Sequence, residues 1–178
     1  MGTIGPLKDA KKNVGTWMKS EKRKTLFPLG LFGAKARIDY QPLGVVGVIS
    51  PWNFPVNLTF APLGGIFAAG NRAIIKPSEF TPATSELMAR MFAEVYDETE
   101  VAVVTGGPAV GEAFSTQPFD HLIFTGATSV ARHVMRAAAE NLVPLTLELG
   151  GKSPVIVSES ADMEDAAAKI MNGKTLNA

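Results

Sequence analysis

One carboxylate, Glu148, stands near the end of an apolar run and just ahead of two glycines in Val143-Pro-Leu-Thr-Leu-Glu-Leu-Gly-Gly-Lys-Ser-Pro154. Leu145, Leu147 and Leu149 alternate with Thr146 and Glu148, so a strand here turns its leucines to one face and Glu148 to the other. Gly150 and Gly151 then allow a tight turn or a close approach to a ligand. Two readings follow from these residues: a proton-transfer group beside a ligand-bordering turn, or a surface Glu ahead of an ordinary Gly-Gly turn. A second group lies in Val45-Val-Gly-Val-Ile-Ser-Pro-Trp-Asn-Phe-Pro55, an apolar strand that runs into a proline-bracketed loop carrying Trp52 and Asn53. Loops at strand ends are where α/β proteins place their chemistry.

The elements that must hold these residues read as alternating strands and helices. Lys35–Gln41 and Val45–Ile49 are predicted strands around Pro42-Leu-Gly44, either a hairpin or a pair of bridging strands. A helix is expected near Leu58–Ala69, a short strand over Ala73–Lys76, and a helix from Thr81-Pro82, with Leu87, Met88, Met91, Phe92 and Val95 as its apolar stripe. Val101–Val104, His121–Phe124, Pro144–Leu149 and Val155–Val157 are further expected strands, with helices near Ala109–Ser115 and Thr128–Glu140. Strands separated by single helices imply an α/β fold with a mostly parallel sheet covered on both faces. Near the N-terminus Leu7, Val14, Trp17 and Met18 recur at helical spacing among Lys8, Lys11, Lys12, Lys19, Lys22, Arg23 and Lys24, which predicts an amphipathic helix with a solvated basic face.

The strand Phe119–Phe124 runs through Thr125-Gly-Ala-Thr128 into a helix whose expected inner face is Val130, Val134, Ala137 and Ala138. Strand, glycine turn and helix start make a phosphate-binding geometry, because the first amides of a helix are unpaired and carry its positive dipole end. A short strand-to-helix crossover calls for a glycine in any case. Bulk properties set the outer bounds. The 178 residues are 46% hydrophobic and 19% charged with zero formal net charge, which suits a single globular domain and gives no electrostatic argument for nucleic acid or an anionic membrane. With no cysteine, disulfides and thiolate metal sites are excluded, and no metal site is expected. Met1-Gly-Thr-Ile-Gly-Pro6 lacks a secretory pattern and no stretch is long and apolar enough to span a bilayer, so a cytoplasmic setting is the expectation.

Four motifs in order, Ile49-Ser-Pro-Trp-Asn-Phe-Pro55, Ile74-Ile-Lys-Pro-Ser-Glu79, Phe124-Thr-Gly-Ala-Thr-Ser129 and Leu147-Glu-Leu-Gly-Gly-Lys152, give the chain from Ala34 onward a resemblance to the aldehyde dehydrogenases. The stretches Ala36–Gly47 and Arg132–Asn141 look most like the coniferyl-aldehyde and fatty-aldehyde branch. The resemblance implies a Rossmann-like dinucleotide-binding domain truncated at both ends. Residues 1–151 would be that domain, with bridging strands over 35–49, and 152–178 the start of a catalytic domain. The family's cysteine nucleophile follows a segment like Asn172–Ala178, so the chain is expected to be a fragment that stops short of it and is inactive alone. Strands Val45–Ile49 and Pro144–Leu149 of such a fragment would be left bare and promote association.

What the resemblance implies for the site is specific. NAD would lie against Ser50, Trp52, Lys76, Ser78, Glu79, Gly111, Thr125, Gly126, Ala127 and Leu149. Lys76 would meet ribose hydroxyls, and Glu79 would accept from the adenosine 2′-OH and repel a 2′-phosphate, favouring NAD over NADP; Lys-Pro-Ser-Glu also suits a plain polar strand-to-helix loop. The family's usual Ser and later Gly are Ala127 and Ala131 here, which removes a hydroxyl from the phosphate turn. Gly106-Gly-Pro-Ala-Val-Gly111 would border the adenosine. In the reaction so implied, a cysteine thiolate adds to an aldehyde, Asn53 donates to the oxyanion, and Glu148 takes the proton of the water that hydrolyses the thioester, given partial burial to tune it. Lys152 would orient Glu148 or cap the next segment, and Trp52 would border the cofactor or simply pack beside its loop. The intact parent would be a homodimer or homotetramer acting on a small-molecule aldehyde. The alternative is a non-catalytic dinucleotide-binding or interaction module that never had a nucleophile.

Overall fold

Apolar residues at every position of a short strand need cover on both faces, and the sheet of this protein shows how that cover is built. The computed structural model describes residues 2–176. In chain order the elements are α1 (Ile4–Trp17), β1 (Glu21–Arg23), a 3-10 turn (Leu29–Phe32), β2 (Ala36–Ile38), β3 (Val45–Ile49), α2 (Pro55–Ala68), β4 (Arg72–Lys76) and α3 (Pro82–Val95). They continue with β5 (Val101–Val103), α4 (Pro108–Ser115), β6 (His121–Gly126), α5 (Thr128–Ala139), β7 (Leu145–Leu149) and α6 (Met163–Thr175). Five strands form a parallel sheet in the order β5-β4-β3-β6-β7. The expected parallel α/β fold is what the chain adopts.

Period-2 alternation sends the side chains of β3 into two separate cores. Val46 and Val48 join Ala73, Ile75 and Val101 beneath α2 and α3, where Leu63, Ile66, Met88 and Phe92 close over them. Val45 and Ile49 point the other way, toward Phe114, Phe119, Leu122, Phe124, Ala131, Val134, Ala138 and Val143. A side chain at Gly47 would lie 2.8 Å from both Leu122 and Phe119, so the glycine lets that second layer sit close on the sheet. Phe60 stacks on Phe92 at 5.0 Å, and Phe114 tilts against Phe119 at 4.8 Å. The expectation of a bare Val45–Ile49 strand is therefore wrong: Val46 and Val48 are buried, and Leu145 and Leu147 of β7 pack on the second core.

Several sequence expectations need correction. The strand expected over Lys35–Gln41 is only Ala36–Ile38, and it pairs antiparallel with β1 (Glu21 opposite Ile38), so it makes no hairpin with Val45–Ile49. Between them Gly44 has φ 134°, the Asn71 side chain accepts from the amides of Leu43 and Gly44, and Asp120 accepts from Val45 at 2.7 Å. These bonds turn the chain away from the ribbon and into the middle of the sheet. Val155–Val157 is not a strand; Ile156 is 93% exposed and pairs with no strand among the described residues. In α3 the buried stripe is Ser85, Met88 and Phe92, whereas Leu87, Met91 and Val95 are exposed. In α5 Ala131, Val134 and Ala138 are buried, and Val130 is exposed. The N-terminal helix forms as expected and packs on α2 through Ala10, leaving Trp17 and Met18 exposed. Exposed apolar residues concentrate instead at Leu26, Phe27, Leu29, Leu31 and Phe32, next to the β1–β2 ribbon. No helix is long and apolar enough to cross a membrane, and no group of three His, Cys, Asp or Glu is placed to hold a metal, among the described residues.

Two helices end in the same way with different residues. After α2, Gly70 takes φ 77° while Asn71 donates to Ile66 and Gly70 to Phe67. After α5, Leu142 takes φ 56° while Val143 donates to Ala138 and Leu142 to Ala139. Both are Schellman ends, and the left-handed position costs a residue with a Cβ about 1 kcal/mol. Leu142 is 88% exposed, so removing its side chain gives up little burial. Leu142→Gly should raise the unfolding free energy by about 1 kcal/mol in a urea titration, and a loss of stability would show that Leu142 has a packing role.

Candidate active site at the carboxyl edge of the sheet

Parallel pairing brings the strand ends to one edge. Ile49 pairs with Lys76 on one side and with Phe124 on the other, and Gly126 pairs with Leu149, so the loops after β3, β4, β6 and β7 leave together. The chain fills the sheet outward from β3, first through β4 and β5 and then through β6 and β7, which makes the gap between β3 and β6 the point where strand order reverses. Crevices at such a reversal, beyond the carboxyl ends of the strands, are where open α/β sheets bind ligands.

The β4 end holds Lys76, Ser78, Glu79 and, from α4, Gly111. Lys76 is 3% exposed, and its Nζ donates to the Glu79 carboxylate at 3.0 Å and to the Pro77 carbonyl at 3.1 Å. A Cβ on Gly111 would stand 3.3 Å from Lys76 Cε, so α4 closes over the lysine stem. Glu79 is held below its ordinary range first by a hydrogen bond from its own backbone amide and, against the opposing effect of burial, by the hydrogen bond and charge of Lys76. The sequence reading gave Lys76 and Glu79 separate partners, and here they are partners of each other. Ser78 is buried; its hydroxyl accepts from the Phe80 amide and its carbonyl from Ser85 Oγ at 3.0 Å. Thr81 begins α3 as expected, although its side chain makes no cap bond.

On the other side of the reversal, Thr125 pairs with Glu148 and Gly126 with Leu149. A side chain on Gly126 would collide with the Phe124 ring at 2.8 Å. Ala127 is the N-cap of α5, and the first helical bond runs from the Ala131 amide to the Ala127 carbonyl, which leaves the amides of Thr128, Ser129 and Val130 without intrahelical acceptors. These residues are exposed and the first turn holds no acidic side chain, so the end of α5 is open to an anion. Glu148 faces away from the leucine core, as its alternation predicts, but it is exposed. The partial burial expected of it is therefore absent in this chain. Lys152 is likewise exposed and makes no salt bridge among the described residues.

The β3 end carries Ser50, Trp52 and Asn53. Trp52 is 54% exposed. Asn53 is half-buried and its side chain makes no hydrogen bond among the described residues. Ser50 is turned inward, its hydroxyl 2.6 Å from Thr59 Oγ1 and its amide on the Lys76 carbonyl. The sequence reading missed Thr59 and Ser85, the buried hydroxyls of α2 and α3. Each is a polar residue within an otherwise apolar helical stripe, which is the signal that marks them.

Set against known proteins, the chain matches the profile described as "Aldehyde dehydrogenase family" over residues 7–178. It is 73% identical over 178 residues to a probable coniferyl aldehyde dehydrogenase of Caulobacter vibrioides, covering 99% of this chain and 37% of that protein. A substrate-bound AldH of Staphylococcus aureus superposes with a TM-score of 0.93 at 44% identity, over 99% of this chain and 38% of its own. An aldehyde dehydrogenase of Mycobacterium tuberculosis, complexed with NAD+, gives a TM-score of 0.81 at 35% identity over 93% and 34%. The chain thus spans somewhat over a third of the relatives it matches, and across that span its sequence and its fold agree that it belongs to the aldehyde dehydrogenase family.

Proposed function

We propose that this chain is the NAD-binding part of an enzyme that oxidises an aldehyde, coniferyl-like or fatty, to its carboxylic acid. The observation that carries the reading is the meeting, at one sheet edge, of an open helix start at Thr128 with the Lys76–Glu79 pair on one side and Glu148 on the other. The group fits the residues present. Free amides at Thr128–Val130 suit a pyrophosphate, and backbone donors serve there although Ala127 offers no hydroxyl. The Lys76–Glu79 pair suits a ribose diol, whose two hydroxyls can accept from the ammonium and donate to the carboxylate. A 2′-phosphate would have to take Lys76 from Glu79 and leave the carboxylate facing it, which favours NAD over NADP. Bound there, NAD supplies the hydride acceptor.

The chain's own residues then divide the remaining work. Asn53, on a loop stiffened by Pro51 and Pro55, offers a neutral amide donor to the oxyanion that forms when a thiolate adds to the carbonyl. Glu148 takes a proton from the water that releases the acid, and the cover that it lacks here comes from the enzyme's remaining two-thirds. The thiolate must come from there too, because residues 1–178 hold no cysteine. The division at 151/152 is supported by α6, which buries none of its residues against the described chain. A cytoplasmic homodimer or homotetramer is the form we propose for the whole enzyme; the exposed Leu26–Phe32 stretch is a surface that association would cover.

Two measurements test this reading. The 178-residue chain, mixed with NAD and coniferyl aldehyde or a long-chain aldehyde, should produce no NADH above background, and turnover that persists through purification would favour chemistry without a cysteine. In an enzyme of the relatives' full length carrying this chain, Glu148→Gln should preserve a pre-steady-state NADH burst while slowing the steady rate by about a hundredfold. Loss of the burst itself would assign Glu148 to an earlier step.

A further inference from the structure

Loops that position a catalytic donor need to be held, and the loop from Pro51 to Phe54 has few bonds of its own. Among the described residues its backbone is tied only at its ends, where the Ser50 amide donates to the Lys76 carbonyl and the Phe54 carbonyl accepts from the Leu58 amide. One side-chain chain of bonds bridges it. Thr59 Oγ1 is 2.6 Å from the Pro55 carbonyl and 2.6 Å from Ser50 Oγ. A carbonyl can only accept, so the single Thr59 proton goes to Pro55 and Ser50 must donate to Thr59. The direction of both bonds is thereby fixed: Ser50 to Thr59 to Pro55, from the last residue before the loop to the first residue after it.

Burial makes this connection strong. Thr59 is 0% exposed and Ser50 is 4% exposed, so water cannot replace either bond. Thr59 sits one helical turn into α2, on the face that packs against the sheet, where an apolar residue would otherwise be expected. The loop after β4 is held in a related way, with the single hydroxyl proton of Ser85 in α3 shared between the carbonyls of Ser78 and Thr81, 3.0 and 2.9 Å away.

We infer that Thr59 and Ser50 are positioning residues that hold the Asn53 loop in place for the reaction. The inference rests on the reading of Asn53 as oxyanion donor and assigns neither hydroxyl to the substrate or the cofactor. Ser50, which the sequence reading placed beside NAD, turns its hydroxyl into the protein, and that side chain locks the root of the loop.

Thr59→Val, which keeps shape and loses the hydroxyl, is to be compared with Thr59→Ser, which keeps the hydroxyl. A double variant, Ser50→Ala with Thr59→Val, removes both polar groups, so no buried proton is stranded and folding is preserved. In the 178-residue chain, backbone order parameters of Trp52, Asn53 and Phe54 should fall from about 0.85 to below about 0.6 in Thr59→Val and in the double variant. They should stay at the parent value in Thr59→Ser. Unchanged order at Trp52–Phe54 in the double variant would overturn the inference. In an enzyme of the relatives' full length carrying this chain, the double variant should lower kcat about tenfold with KM for the aldehyde within about twofold, and Thr59→Ser alone should keep the parent kcat. Unchanged kcat despite a loosened loop would also overturn the positioning role. Asn53→Ala in the same enzyme separates the two ideas, since unchanged kcat there removes the oxyanion reading while the order parameters still report on the bridge.

Discussion

Parallel hydrogen bonding between strands of the same direction is the constraint on which the rest of this structure depends. It obliges every connection to cross from one end of the sheet to the other, and in this chain α2, α3, α4 and α5 make those crossings. It brings all five strand ends to one edge and buries both faces. The result is a sheet whose centre, β3, is apolar at nearly every position and whose polar residues are displaced to the ends. Function at the carboxyl edge is thus a consequence of topology. The opposite edge is used for anchoring, with Asn71 and Asp120 gripping three consecutive amides at the entry to β3.

At the carboxyl edge the electrostatics are arranged unevenly. On the β4 side an ammonium almost fully withdrawn from water is matched by a carboxylate that reaches the surface, an arrangement that satisfies the buried charge and still leaves an acceptor facing outward. On the β6–β7 side the end of α5 offers amides without intrahelical acceptors, and Glu148 stands in solvent. The described residues leave no buried side-chain N or O without a partner, so the openness of this second side is confined to the surface.

Periodicity and punctuation made most of the sheet legible. Val45–Ile49 and the start of α3 after Thr81 could be placed because a short continuous apolar run and a Thr-Pro pair carry direct geometric meaning. The β1–β2 ribbon was not legible, since Glu21-Lys-Arg23 has no apolar alternation and its pairing with Ala36–Ile38 depends on contacts across a loop. Val155–Val157 has strand-like residues, but a strand needs a neighbour and none adjoins it among the described residues. In the site, Glu148 stood out by its residue type and its place before two glycines, and the Lys76–Glu79 loop by its resemblance to a family motif. The mutual pairing of Lys76 with Glu79 and the inward turn of Ser50 were not, because both depend on helices that close over the strand ends.

The most direct test of the central claim, that the carboxyl edge carries a dinucleotide site, is an amide chemical-shift map of the 178-residue chain titrated with NAD. With Glu148 and the start of α5 exposed, affinity should be weak, with a dissociation constant of about a millimolar or more. Shifts should concentrate on Lys76–Glu79 and Thr125–Val130, together with the Trp52 indole, while Leu43–Val45 and Asp120–His121 at the far edge stay still. Shifts confined to the far edge, or none at any residue up to about ten millimolar NAD, would contradict the account.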